Sequence, residues 1–85
     1  MHAQVFEYDG HAERSNAAVS RELIPALRTE DGFSGAVSLI DRQTDAMLLL
    51  VFWETEEQAT RPPLPALAAL VGGVQPGVWE VGARA

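Results

Sequence analysis

The stretch Ala46-Met47-Leu48-Leu49-Leu50-Val51-Phe52-Trp53, halted by Glu54-Thr55-Glu56-Glu57, decides the fold. An apolar run of eight residues is far short of the about 20 that a membrane-crossing helix needs. Bounded by turn and helix-start signals, it reads instead as a strand apolar on both faces. Each side of such a strand needs cover.

Downstream, Thr55-Glu56-Glu57-Gln58 matches a capping box, with two carboxylates in the first turn where the helix dipole favours them. A second helix is expected from this point. Arg61-Pro62-Pro63-Leu64-Pro65 interrupts it, and a fresh turn or two is expected from Pro65, carrying Leu67, Leu70 and Val71 and ending at Gly72-Gly73. After Pro76-Gly77, the alternating run Val78 to Ala83 reads as strand four.

Upstream, the polar connector Asp41-Arg42-Gln43-Thr44-Asp45 joins the apolar run to Phe33 to Ile40 as an antiparallel hairpin. Simple alternation places Phe33, Val37 and Leu39 on one face of strand two, and Ser34, Ala36, Ser38 and Ile40 on the other. Ala12, Val19, Leu23 and Leu27, joined by Ala18 and Ala26, form one helical stripe over about Glu13 to Arg28. Pro25 lacks an N–H and crowds the carbonyl of Arg21, which predicts a kink or early break. His2 to Tyr8 alternate as strand one, with Gln4, Phe6 and Tyr8 on one side and Asp9-Gly10 as the following turn.

The order strand, helix, strand, strand, helix, strand is the split βαβ pattern of a ferredoxin-like α+β sandwich with a four-stranded antiparallel sheet. Residues 1–85 read as one domain. Two helices cover one face of the sheet and leave the other side of the central run bare, so a second copy of the chain is the expected cover: a homodimer joined through the sheet face. Size points the same way. A chain of 85 residues without cysteine has a marginal core and no disulfide to support it, which leaves association as the available reinforcement.

The formal charge is −6, from twelve acidic and six basic residues. Arginines scattered among carboxylates give no positive stripe for nucleic acid and no patch for an anionic membrane. His2 and His11 lie outside any ligand-spaced cluster, so no metal is expected. The opening residues lack the charged and apolar regions of a secretory signal, which predicts a cytoplasmic protein.

Gly32-Phe33-Ser34-Gly35 opening strand two, the hairpin through Asp41 to Asp45, Phe52-Trp53-Glu54-Thr55-Glu56-Glu57 joining strand three to helix two, and the closing Val78-Trp79-Glu80-Val81 resemble the dimeric α+β barrel proteins. That superfamily includes the antibiotic-biosynthesis monooxygenase-like (ABM) domains. The resemblance implies sheets paired face to face, and a cavity in each protomer between sheet and helices that in many members takes aromatic or polyketide-like molecules. Haem degradation is disfavoured. Members with that activity use an Asn in the first strand and a His in the second helix, whereas here Asn16 lies in helix one and no histidine follows His11.

Four residues are candidates for contact with a small apolar or aromatic ligand. Trp53 offers a stacking surface and an indole N–H, Tyr8 a phenol, His2 a proton acceptor, and Arg84, with Glu80 on strand four, a polar pair at the cavity mouth or dimer edge. For each of them the plainer reading, a packing or surface residue, is the preferred one. Ser34 and Ser38 lack a nucleophile elbow, the glycines form no phosphate-cradling motif, and Glu54, Glu56 and Glu57 are accounted for by a helix start. No catalytic residue is assigned and no cofactor is expected. The reading is a small dimeric module, non-catalytic or ligand-binding, with a cofactor-independent monooxygenase-like enzyme as the alternative.

Overall fold

The computed structural model describes residues 1–9, 11–61, 65–72 and 75–84. Its elements run β1 (His2–Asp9), α1 (Ala12–Ala18), a π-helical turn (Val19–Leu23), α2 (Ile24–Leu27), β2 (Phe33–Asp41), β3 (Ala46–Trp53), α3 (Glu56–Thr60), α4 (Pro65–Val71) and β4 (Gly77–Glu80). The four strands form one antiparallel sheet in the order β2-β3-β1-β4. This α+β arrangement is compatible with a ferredoxin-like fold. No helix among the described residues is long and apolar enough to cross a membrane.

β3 occupies the stretch that the sequence marks out, and it alternates strictly. Met47, Leu49, Val51 and Trp53 are buried against the helices, whereas Ala46, Leu48, Leu50 and Phe52 are half-buried on the opposite face. The core is built where Phe6, Met47, Leu49, Val51 and Trp53 of the sheet meet Ala12, Val19, Leu23, Leu27, Ala59 and Leu67 of the helices. Each fully buried Leu in it contributes about 1.5–3 kcal/mol. Of the helical stripe read from the sequence, Ala12, Val19, Leu23 and Leu27 are buried and Ala18 and Ala26 half-buried.

Proline shapes the first helix in a particular way. The Ile24 amide donates to the Val19 carbonyl, one residue further back than in an α-helix. The wide turn falls just before Pro25, where an α-helical register would set the ring against the Arg21 carbonyl. The expected kink is realised as a π turn. Beyond the proline the α-helical spacing is in place, with Arg28 N–H donating to Ile24 O at 3.0 Å.

Two details of the sheet differ from simple alternation. A bulge between Phe33 and Gly35 pairs Phe33 with Trp53 and Gly35 with Phe52. Phe33 is thereby turned to the helix side, away from Val37 and Leu39 with which alternation had grouped it, and its ring meets Trp53 edge to face at 6.1 Å. Gly35 has φ +144°, a conformation that a side chain resists. β4 also stops at Glu80, short of the expected Ala83; all four of its residues are exposed and its only strand neighbour is β1.

The capping box at α3 forms as the sequence indicates. Thr55 Oγ1 accepts from the Gln58 amide at 3.2 Å, and the Gln58 carboxamide accepts from the Thr55 amide at 3.1 Å. A Cβ at Gly32, whose φ is +82°, would overlap that carboxamide, which accounts for glycine there. The break at Pro62, Pro63 and Leu64, and the stops at Gly10 and Gly73, lie outside the described residues.

Candidate functional site

The register sorts the side chains into rows that cross the sheet. On the helix-covered face, His2 and Phe33 flank Trp53, Gln4 lies beside Val51, and Phe6 lies beside Leu49. Gln4 is the buried polar side chain here. Its carboxamide oxygen accepts the Trp53 indole N–H at 2.8 Å, and its nitrogen donates to the Ala59 carbonyl at 2.8 Å. β1, β3 and α3 are joined by this three-way link, in which every member has a partner, as buried polar groups require.

Around it, the Arg61 guanidinium lies 5.5 Å from the centroid of the Trp53 ring and donates to the Asp31 carbonyl at 3.2 Å. The His2 imidazole stands 3.5 Å from Glu56, and its Nδ1 is buried without a hydrogen-bond partner. His2 is the first residue of β1, and the neighbouring Met1 carbonyl accepts from the Val81 amide at 3.0 Å.

The structure brings together two of the four sequence candidates, His2 and Trp53, which are direct register partners. Arg84 reaches the same end of the sheet but the opposite face. Its guanidinium lies 5.1 Å from the Phe52 ring and donates to the Ser34 carbonyl at 3.3 Å. Tyr8 pairs with Met47 at the far end of β1, about 20 Å from His2 at ~3.3 Å per residue; its side chain lies outside the described residues. The four therefore do not converge on one pocket.

On the other face the rows are Trp79, Ala3, Phe52 and Gly35; then Gly77, Val5, Leu50 and Val37; then Glu7, Leu48 and Leu39; and last Ala46 with Asp41. Among the described residues no helix covers them. Trp79 is 67% exposed, Leu39 51% and Val37 45%. The Trp79 indole folds back over Gly77, where a Cβ would come within 3.0 Å of its nitrogen. A depression of about 290 Å³, lined by Glu7, Leu39, Asp41 and Leu48 among others, lies at the end opposite Arg84.

Two residues that sequence reasoning left out organise the structure. Gln4 carries a faint signal, since it shares its strand face with Phe6 and is the polar exception there. Asp45 carries none, because a hairpin-tip aspartate is usually only a turn former. Here it accepts from the backbone amides of His11 at 2.7 Å and Ala12 at 2.9 Å, so the hairpin caps the start of α1. Those two hydrogen bonds, Ala12's first, hold its carboxyl below the ordinary range. His11 and Asp45 both adopt left-handed backbone, at φ 57° and 58°, to make the contact.

No family model matches the chain, and no curated protein matches it either.

Proposed function

We propose that the chain is a self-associating α+β module of the dimeric-barrel kind, non-catalytic or ligand-binding, in which the helix-free face of the sheet is the surface between two copies. The observation that carries this reading is the row Val5, Leu50 and Val37 with Phe52, Leu48, Leu39 and Trp79 around it, apolar throughout, with Val37, Leu39 and Trp79 exposed and the others half-buried in the single chain. A contiguous apolar surface of this kind marks an interaction site, and a second identical sheet is complementary to it in chemistry and length.

The other face supports the non-catalytic part of the reading. Gln4, Trp53 and Ala59 satisfy one another, so the polar atoms of these three residues are occupied in holding β1, β3 and α3 together, and only the buried His2 Nδ1 beside them stands without a partner among the described residues. The tryptophans provide a test because they lie on opposite faces. Association shields Trp79 and leaves Trp53 unchanged, so acrylamide quenching of the emission lost in Trp79→Phe should rise as the protein is diluted. Quenching independent of concentration, at the level of a free indole, would refute the reading.

A further inference from the structure

The open face is polarised. Arg84 is laid over Phe52 and beside Gly35 at one end, where a Cβ on Gly35 would come within 3.3 Å of its guanidinium. Glu7 and Asp41 stand in the last two rows at the other end, beside the depression of about 290 Å³. Between them runs the uncharged row Gly77, Val5, Leu50 and Val37. Arg42 and Glu54 belong to the connections beyond the strand ends.

A twofold axis relating two face-to-face sheets lies in the plane between them. Among aligned packings it runs either along the strands or across them. An axis along the strands sets like ends together, the arginine end of one sheet on the arginine end of the other and the acidic end on the acidic end. An axis across the strands, through the row of Val5, Leu50 and Val37, sets each end on its opposite. Like-charge contacts in an interface are costly and opposite ones steer and fix register.

We infer that the second copy docks with its strands reversed, so that Arg84 of each protomer faces the depression between Leu39 and Leu48 of the other, within reach of Glu7 and Asp41. The inference rests on the self-association proposed above. The depression gives the long arginine side chain room to leave Phe52 and extend across, with its methylenes against leucine and its guanidinium toward the carboxylates.

The chain has no cysteine, so single cysteines report the geometry directly. Arg84→Cys and Leu39→Cys chains are mixed, allowed to exchange, and treated with a short bismaleimide. The expected product is the mixed dimer, linked from position 84 of one chain to position 39 of the other, with little cross-linking in either chain alone. Cross-linked dimers in each pure sample, or none in any sample of a protein that sediments as a dimer, would overturn the orientation while leaving association intact. A monomer in sedimentation would remove both. As a second readout, Arg84→Glu should raise the dimer dissociation constant by about tenfold and Glu7→Lys in the same chain should restore it; purely additive losses would contradict the pairing.

Discussion

The two faces of β3 are built from nearly the same residues and meet different fates. Met47, Leu49, Val51 and Trp53 are buried under helices, whereas Leu48, Leu50 and Phe52 stay half-open. Side-chain hydrophobicity does not distinguish them. What does is the polar company each face keeps: Gln4 tied to Trp53 and Ala59 on one, and Glu7 and Asp41 at one end with Arg84 at the other on the second. The covered face ties its glutamine to groups of the same chain, and the open face keeps its charge at the margins.

Paired substitutions one residue apart break this symmetry most strongly. Leu49→Asp buries an unpaired carboxylate in the core, a change on the order of 4–5 kcal/mol or more, comparable to the whole stability of a small domain. The chain should be unfolded by circular dichroism. Leu50→Asp should leave a folded chain with near-native circular dichroism, and under the proposed association it should weaken the dimer by at least about a hundredfold in the dissociation constant, since the new charge lies on the helix-free face. Equal unfolding by both variants would mean that the faces are not distinct.

Gln4→Ala probes the closed face more gently. It leaves the Trp53 N–H and the Ala59 carbonyl without their partner, a loss of about 2–4 kcal/mol in urea unfolding. A loss below about 0.5 kcal/mol would show that the three-way link does not hold β1, β3 and α3 together.

The smallest effect belongs to the cap on α1. The Asp45 carboxyl is lowered from the ordinary value of 3.8 by its hydrogen bonds to Ala12 and His11. Its ionised form therefore adds stability above that value, and the addition disappears as pH falls through the still lower value in the folded chain. Asp45→Asn should lower Tm near neutral pH, and the gap to the parent should close in acid below 3.8. A gap constant across that range would assign the effect to something other than ionisation.

Much of the fold is legible because its signals are local. The run ending at Glu54, the capping box at Thr55 and the stripe Ala12, Val19, Leu23 and Leu27 each state their element in a few residues, and the structure follows them. What stays hidden depends on contacts between distant segments. The parity of β3 is unreadable because both faces are apolar. The bulge that turns Phe33 to the helix side depends on how Gly35 pairs with Phe52. Asp45 reaches α1 across 33 residues of sequence. Among the site candidates, the pairing of His2 with Trp53 follows from register alone, which one strand read in isolation does not reveal.

Association through the open face is tested most directly by sedimentation equilibrium of the unmodified chain over a range of concentrations. The expected result is a species of twice the 9.2 kDa chain mass, dissociating only on dilution. A single species at 9.2 kDa at every concentration would contradict it.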